Sequence, residues 1–447
     1  MRDGETEERA EAVSENRTTR AAEVRARWAW TEPTIWTERM LTALEEGVKG
    51  GKWYSLMDKV HRRANLRAAF AKVQANDGAA GVDRQTTAMF AQHLEANLQR
   101  LEEELKAEQY RPQLVRRAWI PKPGKSTEKR PLGIPTVRDR VVQTALRNAL
   151  EPIFERDFAA HSYGFRPQRG CKDALRRVEE LLTEGHIWVV DADLRSYFDT
   201  IPRQPLVERV RTKVSDGKVL ALIQAYLEQG VLEEGKHWSP EEGTPQGAVI
   251  SPLLSNLYLD PLDHHMAAEG FHMVRYADDF VILCRSEEEA QRALEQVREW
   301  TAAAGLSLHP EKTHIVNATL PGGFDFLGYH FEGGLRWPRK KSMEKLQETM
   351  RRKTRRTNGR SMRVTIAGVN QTLVGWYEYF KHSHYTTFPR IDGWIRRRLR
   401  SILRKRAGRR GRGRGLDHRR WPNSFFAEHG LFCLTTAHVQ ARQSSRR

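Results

Sequence analysis

The stretch VRYADDFVILC, residues 274 to 284, constrains the fold more than any other part of the chain. An apolar strand runs into two adjacent carboxylates, Asp278 and Asp279, and a second strand, Phe280 to Cys284, leads straight out. Like charges at the end of buried strands repel one another and lose hydration, so the pattern calls for a positive partner. A tight turn at Ala277-Asp278-Asp279 projects both acids from the tip of a hairpin. A third acid is available in IWVVDADLRSYFDTI, 187 to 201, where strand alternation puts Asp191 and Asp193 on one face. Three carboxylates gathered at one edge of a sheet suit two hard divalent cations. Magnesium takes oxygen ligands and keeps positions open for substrate phosphates. Two such ions about 3.5–4 Å apart stabilise the attacking and leaving oxygens of an in-line phosphoryl displacement. Taken alone, an Asp-Asp pair reads better as an ordinary exposed turn.

At 447 residues the chain is too long for one compact core and long enough for two or three domains. Residues 1–30 are charged and rich in acids, unlike a secretory signal or a transit peptide, and read as a disordered arm. Residues 31–109 show helical spacing, as in Trp53, Leu56, Met57 and Val60 and again in Leu94, Leu98, Leu101 and Leu105. From 110 to 335 short apolar strands alternate with amphipathic helices, the pattern of an α+β domain. One helix there is well marked: Ser286 and Glu289 form a capping box, and Ala290, Leu294, Val297 and Trp300 follow at helical spacing. Gly305 suits its end, and a strand is expected at Leu306 to Leu308. Residues 336–408 are helical and basic, and 409–447 form a basic tail that begins with a flexible RRGRGRG link.

The net charge of +18 is segregated. Between Arg336 and Arg420 stand 27 Lys and Arg against 5 Asp and Glu, an excess of +22 that leaves the rest of the chain at −4. Such a field is the footprint of a polyanion-binding surface. Cys171, Cys284 and Cys433 are far apart and lack metal-ligand spacing, which points to a reducing cytoplasm and away from a zinc or disulfide scaffold. No apolar run is long enough to span a membrane. The expected location is the bacterial cytoplasm, in association with the nucleoid.

Around the acids the sequence resembles the reverse transcriptases encoded by bacterial group II introns. Tyr276-Ala277-Asp278-Asp279 is similar to their catalytic box, and GTPQGAVISPLLSNLYLDPLD, 243 to 263, to their nucleotide-binding block. RPLGIPTVRDRVVQTAL and SYGFRPQRG resemble fingers segments, while SLHPEKT (307–313) and GFDFLGY (323–329) resemble the last two palm blocks. These blocks, in this order, extend the similarity from about Trp36 to the C-terminus. The resemblance implies a right-hand polymerase, with fingers and palm built on antiparallel sheet. A helical N-terminal extension and an α-helical basic thumb, or maturase, domain complete it.

By the same resemblance Asp193, Asp278 and Asp279 are the catalytic acids and metal ligands for two Mg2+ ions, with Asp191 a support on the same face. Phe198, five residues after Asp193, stands where the family presses an aromatic ring against the sugar and excludes a 2′-hydroxyl, although simple core packing would also explain it. Gln246 is expected near the incoming base and sugar, and Lys122 and Arg130 on the triphosphate, since guanidinium engages phosphate oxygens in pairs. Lys312 matches a lysine placed near the leaving pyrophosphate, where it acts as general acid. Phe326, Leu327, Gly328 and Tyr329 resemble the grip on the primer end, and would also fit an ordinary apolar strand.

GVNQTLVGWYEYFKHSHYTTFPRIDGWIRRRLRSILRKR, 368 to 406, resembles the maturase region. Its apolar faces would join helix to helix while Arg396, Arg397, Arg400 and Arg404 face phosphate, a surface suited to structured RNA. Many relatives carry an endonuclease with His and paired Cys. DHRRWPNSFFAEHGLFCLTTAHVQARQ has a single cysteine, so no endonuclease domain is expected in residues 409–447 and a nick or replication fork would supply the primer. The expectation is an RNA-directed DNA polymerase using deoxynucleoside triphosphates. Its partners are group II intron RNA, an RNA template with DNA primer, and target DNA, with no membrane and an open oligomeric state. Two alternatives share the palm: a splicing maturase with a vestigial polymerase, and a reverse transcriptase domesticated for defence or diversity generation.

Overall fold

A computed structural model describes residues 22–122, 125–233, 235–238, 242–244, 247–411, 413 and 415–444, without the side chains of Lys122 and residues 125–128. The expectations for residues 1–21, for Gln246 and for the Lys122 side chain lie outside the described residues. Helices dominate up to Lys106, among them α1 (Arg63–Asn76) and α2 (Leu94–Lys106). They share one core with a long helix further along the chain, α3 (Val137–Glu155). Leu66, Ala69 and Phe70 of α1 pack with Val141, Ala145 and Leu146 of α3, and Asn65 Nδ2 donates to the Ala145 carbonyl at 3.1 Å. Trp28, assigned above to a disordered arm, is 5 % exposed in that same core.

Three sheets complete the fingers and palm. Strands β1 (Val115–Lys122) and β2 (Lys125–Ile134) form an antiparallel hairpin. It is extended to a four-stranded sheet of order β2-β1-β4-β5 by β4 (Val231–Glu233) and β5 (Lys236–Trp238). The second sheet has the order β6-β7-β3-β8, from β3 (Trp188–Asp193), β6 (His272–Tyr276), β7 (Asp279–Cys284) and β8 (His314–Asn317), all antiparallel. The third is a small sheet of β9 (Phe324–Phe326), β10 (Tyr329–Glu332) and β11 (Leu335–Pro338).

Period-two alternation splits the second sheet between two cores. Val190, Ala192, Phe280 and Ile282 face the large core, covered by α5 (Ser251–Ala268) and α6 (Glu287–Ala303). Val189, Val274, Val281 and Leu283 face a second core with α4 (Cys171–Thr183) and the small sheet. Asp191, Asp193 and Asp279 continue that second face to its open end. Helix α6 begins as the sequence indicates, with Ser286 Oγ accepting from the Glu289 amide at 3.2 Å. The Glu289 carboxylate, however, accepts from the Arg285 amide at 2.8 Å, one residue before the cap. Gly305 ends the helix at φ +69°. The strand expected at Leu306 to Leu308 is reduced to a single bridge between Leu194 and Leu308, and the pairing strand is β8 instead.

Helices α7 (Lys340–Lys353), α8 (Met362–Phe380) and α9 (Thr387–Arg406) enclose a third core. Residues read as a tail from 409 onward belong to it. Helices α10 (Leu416–Arg420), α11 (Asn423–Glu428) and α12 (Leu434–Ser444), with the short links between them, contribute Trp421, Phe426 and Leu434. The buried Asp392 carboxylate accepts from the Leu434 and Thr435 amides at 3.1 and 2.9 Å, which fixes the start of α12 onto α9.

Candidate active site and RNA-binding face

Tyr276 and Asp279 close the β6–β7 hairpin as a directly opposed pair, so Ala277 and Asp278 form the turn. Ala277 adopts φ +61°, a left-handed conformation that a two-residue hairpin turn demands. On the neighbouring strand Asp193 lies directly opposite Asp279, and Asp191 opposite Val281. Register alone therefore brings Asp193 beside Asp279, with Asp278 in the adjoining turn.

The turn is held from behind by a residue that the sequence did not single out. Arg275 points to the opposite face of the sheet and is fully buried. Its guanidinium donates to Asp263 Oδ1 of α5 at 2.8 Å, to Asn256 Oδ1 at 3.0 Å and to the Ala277 carbonyl at 2.8 Å. Asn256 Nδ2 in turn donates to the Gly164 carbonyl at 2.7 Å. A Cβ on Gly164 would overlap the Ala277 amide, so SYGF requires glycine for this close approach. The available signal was one arginine inside an apolar strand, matched by Asn256 and Asp263 a helical distance apart in the preceding helix.

Burial is the largest influence on the acids, and like charge adds to it. It pushes the Asp279 carboxyl up to about 7, with Asp191, Asp278 and Asp193 acting in the same direction and Arg339 against them. Asp191 is also raised to about 7, by burial and then by Asp325 and Asp193. Asp278 is raised by burial and by Asp193, while Arg275 and Lys312 pull it back. Lys312 Nζ forms an ion pair with Asp193 Oδ2, and the His309 amide donates to the Asp193 carbonyl at 2.7 Å. Among the described residues no set of three acids, His or Cys converges as a ready metal cage. The donor set still fits divalent cations: it is all oxygen, it is crowded, and its negative charge is costly without a counter-ion.

Phe198 is half-buried in the short helix Tyr197–Thr200, its ring 5.5 Å from that of Tyr197. Its carbonyl accepts from the Thr244 amide at 2.7 Å, which pins the start of the GTPQG loop next to β3. On the far side of that loop, a Cβ on Gly247 (φ +104°) would overlap the Gly133 carbonyl of β2. Arg130 is exposed on β2, opposite Ile120. Leu327 and Gly328 make a left-handed turn, φ +45° and +86°, between the buried Phe326 and Tyr329. That turn is fastened to the thumb. Tyr379 Oη donates to the Leu327 carbonyl at 2.6 Å, and the Arg339 amide and Ser342 Oγ donate to the Gly328 carbonyl at 2.9 and 3.1 Å.

The arginines of α9 divide. Arg397 is exposed and Arg396 half-exposed. Arg400 does not share their face. It is 3 % exposed, donates to the Trp421 carbonyl and Asn423 Oδ1 at 2.8 Å each, and lies over the Phe426 ring. Arg404 is committed to Asp417 at 2.5 Å and to the Arg410 carbonyl at 2.8 Å. The sequence suggested RNA contacts for both because α10 to α12, which cover that side of α9, read as a tail.

An antiparallel sheet that sets acids of adjacent strands against each other, flanked by Gly247 and the β1–β2 hairpin, is the arrangement of a palm-type nucleotidyltransferase. The family described as reverse transcriptase (RNA-dependent DNA polymerase) matches residues 120–331, and the group II intron maturase-specific domain matches residues 343–421. The chain is 32 % identical to Protein YkfC of Escherichia coli (strain K12), over 68 % of this chain and 85 % of that protein. It is 39 % identical to the group II intron-encoded protein LtrA of Lactococcus lactis subsp. cremoris, over 44 % of this chain and 32 % of LtrA. A partial Cas6-RT-Cas1–Cas2 complex overlays with a TM-score of 0.37 and 24 % identity, covering 56 % of this chain and 41 % of that one, too loosely to add weight. The chain belongs to the group II intron-encoded reverse transcriptases: it is an RNA-directed DNA polymerase joined to a maturase-specific domain. Among the described residues no helix is long and apolar enough to cross a membrane.

Proposed function

We propose that the chain copies intron RNA into DNA and binds that same RNA through its thumb to support splicing and mobility. The observation that carries the polymerase half is the direct opposition of Asp193 and Asp279, with Asp278 in the adjoining turn. Asp193, Asp278 and Asp279 would hold two magnesium ions. When bound, these supply a lowered pKa for the primer 3′-hydroxyl and neutralisation of the departing pyrophosphate. Arg275 keeps the turn in register from behind, so the acids are presented on a rigid support. Lys312, beside Asp193, is close enough to the centre to give a proton to pyrophosphate as it leaves the α-phosphorus.

Phe198 closes the sugar side of the site against a 2′-hydroxyl, which favours deoxynucleotides. Arg130, exposed on β2, would engage the triphosphate; the same role for Lys122 and the base contact of Gln246 are carried by the resemblance alone, since the Lys122 side chain and Gln246 lie outside the described residues. Phe326 to Tyr329 support the primer end. Arg396 and Arg397 contribute the phosphate-facing part of the thumb; Arg400 and Arg404 shape it from inside. Fingers and palm occupy about 110–335 in this reading, on a core shared with the N-terminal helices, and the thumb continues past 409 to take in Trp421, Phe426 and Leu434. Target DNA and an RNA template with DNA primer complete the partners.

The test is primer extension on an RNA template, with and without magnesium, comparing deoxy- and ribonucleoside triphosphates in the wild type and in Phe198→Ala. Extension should require magnesium and deoxynucleotides, and the variant should admit ribonucleotides. No extension under any condition would leave only the RNA-binding half of the reading.

A further inference from the structure

Helices α7 and α9 enclose two adjoining cavities that share Trp394 as a wall. On one side lies an apolar cleft of about 350 Å³, bounded by Trp337, Pro338, Met343, Leu346 and Ile391. That volume is in the range of ordinary ligand sites, about 300–1,000 Å³. Gln347 and Arg390 stand among its lining residues. On the other side lies a hollow of about 230 Å³ ringed by Arg351, Arg356, Arg397 and Arg398. Arg398 is fixed there: Nε donates to Thr354 Oγ1 at 2.6 Å, Nη2 reaches the Arg351 carbonyl at 3.3 Å, and the guanidinium lies 5.5 Å from the Trp394 ring. Burial lowers the Arg398 pKa, and Arg351 and Arg356 lower it further. Among the described residues none of the four arginines forms an ion pair.

Four cations gathered without an acid call for an anion, and an aromatic-walled cleft calls for a flat apolar body. A nucleotide joins the two at the right scale. We propose that this thumb site holds one unstacked nucleotide of a bound RNA, its base in the cleft against Trp394 and its phosphate in the arginine hollow. Stacking on an aromatic face accepts any base, while Arg390 and the amide nitrogen of Gln347, whose Oε1 accepts from Arg351 Nη2 at 3.1 Å, are the groups placed to read a base edge. The inference rests on the RNA-binding reading above and adds to it a preference for RNA with a base out of the helix.

The probe is a fluorescein-labelled RNA hairpin with a one-nucleotide bulge, compared by anisotropy with the same hairpin lacking the bulge. Wild type should bind the bulged RNA about tenfold more tightly, as expected for one base stacked on an aromatic side chain. Trp394→Ala should bind both alike, Trp394→Phe should keep most of the preference, and Arg397→Gln should weaken the bulged complex more than the paired one. Thermal melts identify any variant that fails to fold, and the Trp394→Phe and Arg397→Gln pair then carries the decision. Equal affinity of wild type for the two hairpins, or an undiminished preference in folded Trp394→Ala, overturns the proposal. Binding of neither hairpin removes the RNA-binding reading itself. Displacement of the labelled RNA by an acidic aromatic peptide, without any bulge preference, reassigns the cleft to a protein and also overturns it.

Discussion

The palm hairpin and the thumb handle charge in opposite ways. In the palm, negative groups are concentrated on strands, and register decides their position. One buried arginine, Arg275, answers for the geometry of the whole turn. In the thumb, positive groups are spread along helices, and packing sorts them into two kinds. Arg400 and Arg404 have their donors consumed inside, while Arg397 is left open. A concentrated site should fail as a unit when one member is removed. A distributed one should weaken by degrees.

The sharpest break falls on the palm. Asp278→Ala should lower primer extension at least about a thousandfold, since it removes a ligand at the reacting centre. RNA affinity, measured by filter binding, should change by less than about twofold; extension that survives would detach chemistry from this hairpin. Next in size is the support behind it. Arg275→Met leaves Asp263 buried and alone, which should cost about 3–5 kcal/mol in chemical denaturation, and a second change, Asp263→Leu, should recover most of it. Arg400→Met should cost less, about 1–3 kcal/mol, because its hydrogen-bond partners are neutral. The reverse order would mean that the thumb, not the palm, depends on a single buried cation.

A subtler separation comes from pH. The Asp279 carboxyl rises from 3.8 to about 7 on folding, so the folded state holds that proton more tightly than the unfolded chain. Its contribution to stability is therefore complete at low pH and is lost as pH climbs to about 7. Asp191 acts with the same sign. In chelator, the slope of melting temperature against pH between 5 and 8 should be less negative in Asp279→Asn. Magnesium should raise the wild-type melting temperature more at pH 8 than at pH 6. The smallest effect belongs to the thumb. Arg397→Gln should reduce the slope of log affinity against log salt by about 0.7–0.9, the loss of one phosphate contact.

Much of the palm was legible because two-residue alternation is unforgiving. Once Asp191 and Asp193 are on one face and Asp279 follows a tight turn, antiparallel pairing leaves few ways to keep them apart. The start of α6 was legible for a similar local reason, a serine hydroxyl three residues before an amide it can cap. Arg275 was missed because its partners Asn256 and Asp263 come from a helix, and which strand residue that helix covers is decided by tertiary packing. Arg400 was misread for the same reason. Helical spacing shows that Arg397 and Arg400 are neighbours, but only α10 to α12 determine which one is covered. The strand expected at Leu306 to Leu308 fell to one bridge, because its partner strand leaves the sheet after Leu194, where Ser196 turns at φ +49° into the short helix Tyr197–Thr200.

The bonds that join the 327–328 turn to the thumb end on main-chain oxygens at Leu327 and Gly328. They are therefore blind to the side chains the turn carries. New contacts with a growing DNA end can be tried at these positions without unfastening the two lobes, provided the backbone still bends left-handed there. On the turn's own side the anchoring atoms are ones that mutation cannot exchange, so the side chains it presents remain free to drift while Tyr379 and Ser342 stay in place.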